Sequence, residues 1–131
     1  MPRLSKALVT TGDAGFALAD VELGEPQRDE VLVQIMASGV CHTDLDMLNR
    51  RFAHVMGHEG AGTVLQCGSG VDHVGPGDPV VLNWAIPCGE CFQCRRGAEN
   101  ICAQRPHVPH ERRSFNGKPL YASFGLGTMA T

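Results

Sequence analysis

Two groups of residues in this sequence have the types and spacing to bind a metal. In the first, Cys88, Cys91 and Cys94 recur at intervals of three along Cys88-Gly89-Glu90-Cys91-Phe92-Gln93-Cys94, and Cys102 follows eight residues later. Four thiolates on one short loop can close a tetrahedral zinc site, with Zn–S bonds of ~2.3 Å. Pro87, Gly89, Gln93, Arg95, Arg96, Gly97 and Asn100 are turn and surface residues. Such a loop has almost no apolar content to fold it by burial, so a cross-link must hold it. Two disulfides are the alternative, but cysteines two residues apart bridge poorly because the ring they close is strained. The C-x2-C-x2-C spacing favours metal. A site with four protein ligands has no open position. This zinc is therefore expected to stabilise a lobe at about residues 86–104 and to do no chemistry.

The second group is Cys41 and His58. Each lies at the end of an apolar run and next to glycine, where backbones can approach a common point. A thiolate and a neutral imidazole are good zinc ligands. Taken alone, the pair is weak evidence for a metal, since a lone cysteine beside a strand is more often a small buried hydrophobe and a lone histidine more often just hydrogen-bonded.

Short elements must position these groups. Residues 6–10 form a β-branched run, read as an edge strand, and 16–21 its hairpin partner across the turn at 12–15. Gly24-Glu25-Pro26 breaks the pattern. Residues 30–36 are the clearest strand, with Val31, Val33 and Ile35 on one face. Residues 44–49 read as one or two helical turns with Thr43 or Asp44 as N-cap. Strands are expected at 63–67 and 80–82, separated by Gly75-Pro76-Gly77-Asp78-Pro79. The polar stretch 103–119 reads as surface connection, and 120–124 as a closing strand. Many short strands between Gly/Pro turns indicate an all-β barrel or sandwich.

Composition narrows the function. The chain has 131 residues, so it is read as one domain with a core that buries about two thirds of the unfolded surface. It carries 16 Gly, 8 Pro and a net charge of −3, which gives no basic field for nucleic acid or an anionic membrane. The N-terminus leads into a strand and contains no long apolar run, so neither a signal peptide nor a membrane span is read. Six cysteines in that context suggest a reducing, cytoplasmic compartment.

Gly39-Val40-Cys41-His42-Thr43-Asp44, Gly57-His58-Glu59-Gly60-Ala61-Gly62, Gly77-Asp78 before a strand and the four-cysteine loop occur here in one order. In this the sequence resembles the zinc-dependent medium-chain alcohol dehydrogenases over nearly its whole length. The resemblance implies a mainly β fold: a GroES-like, partly open β-barrel with short helices and a zinc-bound cysteine lobe. It implies that residues 1–131 are a catalytic domain, with the nicotinamide-binding Rossmann domain expected outside this chain. Cys41 and His58 match two ligands of the family's catalytic zinc, and Cys88, Cys91, Cys94 and Cys102 its structural zinc. Glu59 matches the acid beside the catalytic zinc. Thr43 matches the hydroxyl that bonds the substrate oxygen and starts the proton relay. Asp44 matches the carboxylate that orients the ligand histidine, and His42 the basic residue that reaches the cofactor pyrophosphate. The implied cofactors are Zn and NAD or NADP. The implied partners are a small alcohol or aldehyde and, in the full-length enzyme, further copies of itself.

Three features depart from the family pattern. Its third catalytic ligand is a cysteine at the start of the nucleotide domain, and the only cysteine left here is Cys67, read as a buried strand residue. Asp46 stands where many members carry a relay histidine. The segment 44–56 is short for the family.

Two further patterns are set aside. Gly125-Leu126-Gly127-Thr128-Met129-Ala130 imitates a dinucleotide fingerprint but has no following helix or acidic residue, and is expected to be a turn returning to the barrel. Arg95-Arg96 and Arg112-Arg113 lack the net charge and interleaved aromatics of a nucleic-acid ribbon, and are read as solvated surface. The leading expectation is therefore the catalytic domain of an NAD(P)-linked oxidoreductase that interconverts primary alcohols, or thiol adducts of aldehydes, and aldehydes. The alternative is a non-catalytic zinc-binding interaction module built on the same barrel.

Overall fold

The computed structural model describes residues 3–50, 52–104 and 113–131. Its regular structure is mainly strand. β1 (Arg3–Thr10) and β2 (Phe16–Leu23) form an in-register hairpin from Arg3↔Leu23 to Thr10↔Phe16. Ser5, Ala7 and Val9 point inward from β1 at the period of two that a half-buried strand requires. β3 (Val31–Gly39) leads into helix α1 (His42–Leu48), which is followed by the two-residue β4 (His54–Val55). β5 (Glu59–Cys67) and β6 (Pro79–Val81) complete the first half. Helix α2 (Phe92–Arg95) and a 3-10 turn at Glu99–Ile101 shape the cysteine loop. β7 (Arg113–Phe115), β8 (Lys118–Pro119), β9 (Tyr121–Ala122) and a 3-10 turn at Ser123–Gly125 end the chain.

These strands form a six-stranded sheet, β8-β7-β2-β1-β4-β9, and a three-stranded sheet, β3-β5-β6. Together they make the partly open barrel expected from the sequence. The core is one cluster of Ala7, Val9, Val21, Val55, Leu120 and Ala122, with Ala19, Phe115 and Ala130 packed against it. Leu120 is 2% exposed. Truncating a leucine buried to that degree costs about 2–5 kcal/mol.

Several boundaries differ from the sequence reading, each for a local reason. β1 is not an edge strand, because β4 pairs with it at Val9↔Val55 on the side away from β2. The strand expected at 63–67 begins at Glu59, because Gly60 and Gly62 admit close neighbours instead of breaking the ladder. In β3, register shifts at Leu32/Val33 and Ile35/Ala37 interrupt the alternation. Val33 and Ile35 are half-buried, but Val31 is exposed. The residue at the helix N-cap is Cys41, not Thr43 or Asp44. Of the closing strand at 120–124, only Tyr121–Ala122 is strand, and it runs parallel to β4. The polar stretch after 103 contains the β7–β8 hairpin, whose Asn116-Gly117 turn has both φ values positive, at 52° and 70°. Residues 105–112 of that stretch, Arg112 among them, and the side chain of Arg113 lie outside the described residues. Arg95 and Arg96 are exposed, as read. Cys67 is half-buried, and its thiol donates to the Val74 carbonyl at 3.4 Å.

Candidate metal centres

The four sulfur atoms of Cys88, Cys91, Cys94 and Cys102 lie within 4.8 Å of one another. Two local structures bring them together. Cys91 stands at the N-cap of α2 and Cys94 within that helix, while Cys102 ends the 3-10 turn. Cys94 Sγ is 3.5 Å from Cys91 Sγ and 3.9 Å from Cys88 Sγ. A tetrahedron with ~2.3 Å metal–sulfur bonds has sulfur–sulfur edges of about 3.8 Å. A disulfide requires about 2.05 Å, and all six cysteines are free thiols. The donor set therefore fits zinc.

The electrostatics of the cluster agree with that fit. Backbone N–H groups, first of Cys94 and then of Ala103, hold the Cys91 thiol down to about 6. The backbone N–H of Cys88 lowers Cys102 and lies 3.3 Å from its sulfur. Burial pushes the Cys94 thiol up to about 12, and the neighbouring thiols reinforce it. Backbone N–H groups thus favour the thiolate at Cys91 and Cys102, while burial and the neighbouring thiols disfavour it at Cys94.

A second group forms where β3, α1 and β5 meet. Ligand atoms of Cys41, His58 and Glu59 also lie within 4.8 Å of one another. Asp44 ties the group together from beneath. Its Oδ2 accepts the Cys41 N–H at 2.9 Å, and its Oδ1 faces His58 Nδ1 at 3.5 Å. Asp44 is 1% exposed and His58 4%. With Nδ1 turned to Asp44, the other ring nitrogen is the one available to a metal. The Cys41 thiol lies 3.6 Å from Thr43 Oγ1. Glu59 is exposed and pairs in register with Gly39, where an added Cβ would strike the Glu59 carboxylate. His42, the first residue of α1, is exposed, as is Asp46. Cys67 is not part of the group.

The C-terminal segment that imitated a dinucleotide fingerprint braces this centre. Thr128 N–H donates to the Gly57 carbonyl and Met129 N–H to the Met56 carbonyl, each at 3.0 Å. Thr128 Oγ1 also bonds Ser38 Oγ at 2.8 Å, linking this segment to β3. Gly57 has φ +89°, and a Cβ there would meet Met129 N and Thr128 Oγ1 at 2.6 Å. The segment returns to the barrel, as expected, through the bridge Ala7↔Ala130.

Sequence reasoning missed the aromatic wall of the centre. The Phe124 ring meets the His58 ring edge-on at 5.1 Å, and Trp84 packs against Phe124 at 4.9 Å. Phe124 holds φ +50°, an outlier for a bulky residue that no sequence signal announces.

Residues 27–131 match the family model of the alcohol dehydrogenase GroES-like domain. The chain belongs to this family.

Among curated proteins, the domain is 36% identical to the S-(hydroxymethyl)glutathione dehydrogenase of Escherichia coli O1:K1, in a match covering 86% of this chain and 34% of the relative. Its GroES-like fold is similar to the solved alcohol dehydrogenase zinc-binding domain protein of Burkholderia ambifaria. That match has a TM-score of 0.88 and 31% identity, and covers 99% of this chain and 39% of the other. The benzyl alcohol dehydrogenase of Acinetobacter calcoaceticus matches with a TM-score of 0.78 and 30% identity over 98% of this chain and 38% of its own. The domain thus spans about a third of the length of the curated relatives it matches. Among the described residues of the domain, no helix is long and apolar enough to cross a membrane.

Proposed function

We propose that residues 1–131 act as the catalytic domain of a zinc-dependent alcohol dehydrogenase, with the nicotinamide cofactor held by a further domain. The observation that carries this reading is the convergence of Cys41, His58 and Glu59 on one point, with Asp44 buried beneath them. A zinc held there would supply Lewis acidity, lowering the pKa of an alcohol bound at its open position. NAD or NADP would supply the hydride acceptor.

The chain's own residues have separate tasks in this reading. Cys41 and His58 would hold the metal, and among the described residues Glu59 lies close enough to complete or relax its coordination. Asp44 fixes both ligands at once, through the Cys41 N–H and His58 Nδ1. Thr43, beside the Cys41 sulfur, accepts the substrate's hydroxyl proton and passes it outward. His42, exposed at the start of α1, would contact the cofactor's pyrophosphate. Cys88, Cys91, Cys94 and Cys102 hold a structural zinc that orders their lobe. The substrate is a small primary alcohol or the corresponding aldehyde, and the whole enzyme is a homo-oligomer.

A non-catalytic zinc module needs only the four-cysteine lobe. The second group, with its carboxylate, its hydroxyl and its open side, argues against that alternative. The test is alcohol-dependent reduction of NAD(P) by the complete protein carrying this chain, compared with its His58→Ala variant. Zinc-dependent turnover that falls by at least about 10³-fold in the variant is expected. Turnover independent of His58, or none in the zinc-loaded protein, would overturn the reading.

A further inference from the structure

The sequence holds four asparagines, Asn49, Asn83, Asn100 and Asn116, and only Asn116 is followed by glycine. An asparagine loses its side-chain amide when the main-chain nitrogen of the next residue attacks its Cγ. In a folded chain this depends on what shields that nitrogen and on how freely the backbone around it opens.

The structure restrains three of the four. Asn49 is the C-cap of α1, and the nitrogen that follows it, Arg50 N–H, donates to the Met47 carbonyl at 3.1 Å. Asn100 lies in the 3-10 turn, and Ile101 N–H donates to the Ala98 carbonyl at 3.2 Å. Asn83 holds its side-chain amide against Ala85, accepting the Ala85 N–H at 2.9 Å and donating to the Ala85 carbonyl at 3.3 Å. Each is also followed by a bulky side chain, of Arg50, Trp84 or Ile101, that crowds the attacking nitrogen.

Asn116 escapes these restraints. It and Gly117 are exposed at the tip of the β7–β8 hairpin. The inner pair of that ladder is Phe115↔Lys118, so the Gly117 N–H lies outside it. Among the described residues, nothing beyond the chain neighbours comes within 4 Å of where a Gly117 Cβ would stand. Ring closure needs the turn to open, and here opening is local. β8 has only Lys118 and Pro119, both exposed, and is the edge strand of its sheet. A hairpin that short is marginal by itself and separates from the barrel at low cost.

We infer that Asn116 is a site of spontaneous covalent modification in the folded protein, converting to aspartate and isoaspartate. Gly117 N gives its proton to hydroxide and bonds to Asn116 Cγ. The bond from Cγ to the side-chain nitrogen breaks, and that nitrogen leaves as ammonia. One water then opens the five-membered ring. Breaking the new Cγ–N bond leaves aspartate. Breaking the original peptide C–N bond leaves isoaspartate, whose main chain runs through Cβ and Cγ. Nothing is oxidised or reduced.

The two products differ in what they do to the hairpin. Aspartate tolerates the φ of 52° that Asn116 holds, so the turn survives. Isoaspartate lengthens the main chain by one carbon inside a two-residue turn. Such a turn cannot keep both Phe115↔Lys118 and Ser114↔Pro119 in register.

The test incubates the complete, zinc-loaded protein carrying this chain in mildly alkaline buffer, with peptide mapping by mass spectrometry at intervals. The peptide containing Asn116 is expected to gain one dalton at least about 10-fold faster than those containing Asn49, Asn83 or Asn100. Its product should resolve into aspartate and isoaspartate forms. Amide exchange across 114–119 should rise in the isoaspartate fraction and stay unchanged in an Asn116→Asp variant. An Asn116 peptide that persists in the folded protein, while the urea-unfolded protein converts it, would overturn the inference, because the closed turn would then be protective. So would conversion no faster than at the other three asparagines.

Discussion

Asp44 Oδ1 and His58 Nδ1 face each other at 3.5 Å in a nearly sealed interior, and neither atom has a hydrogen-bond partner elsewhere among the described residues. The same carboxylate accepts the Cys41 N–H. One side chain therefore sets the positions of both proposed zinc ligands.

From this follows the first prediction. Asp44→Asn keeps the size of the group but removes its charge. Zinc affinity at Cys41–His58 should fall about 10- to 100-fold, while the four-cysteine site is unchanged. Competition with a calibrated chromophoric chelator measures both.

Cys94→Ala should act on the other centre. Cys94 is the innermost of the four sulfurs. Its loss should release one zinc and disorder residues 88–102, because metal binding energy there is folding energy. Metal analysis and amide exchange confined to that loop check the outcome. Unchanged zinc content would refute the assignment.

Gly57→Ala should disturb the brace behind His58. The added Cβ would press on Met129 N and Thr128 Oγ1, in a backbone conformation that itself costs an L-residue about 1–3 kcal/mol. Urea unfolding should show a loss of at least that size, and zinc at Cys41–His58 should weaken more than zinc at the four-cysteine site.

Stability should also fall in acid because of His54. Burial, opposed by the Phe52 carbonyl and reinforced by Arg50, holds its folded-state pKa below 6.5, so below pH 6.5 the unfolded state binds more protons than the folded one. The contribution is complete above pH 6.5 and is lost as the pH falls through the folded value. His54→Val should flatten that part of the slope between pH 7 and 5, as read by denaturant midpoints at each pH.

How much was legible from sequence depended on distance along the chain. The four-cysteine site was plain, because all four ligands lie within one loop. Cys41 and His58 gained meaning only as motifs, since no spacing rule joins residues on α1 and β5. Thr43 or Asp44 was read as the N-cap from local preference, and only the family resemblance pointed Asp44 at the histidine. Asp44 serves instead as the third helical residue, reaching back to the Cys41 N–H. The glycine beside His58 was read as a point of close approach, and the structure names the neighbours: Thr128 at Gly57 and Gly60, and β3 at Gly62. Phe124 and His54 were invisible. A bulky residue at positive φ and a lone histidine in a two-residue strand have no pattern that a neighbour in sequence could reveal.

The most direct measurement is zinc stoichiometry during a slow chelator titration of the zinc-loaded protein and of its His58→Ala variant. Two zincs per chain are expected in the unaltered protein, one leaving early from Cys41–His58 and one held late by the four cysteines. The variant should bind only the late one. A variant that still binds two, or a protein whose four-cysteine zinc leaves first, would contradict the two-centre account.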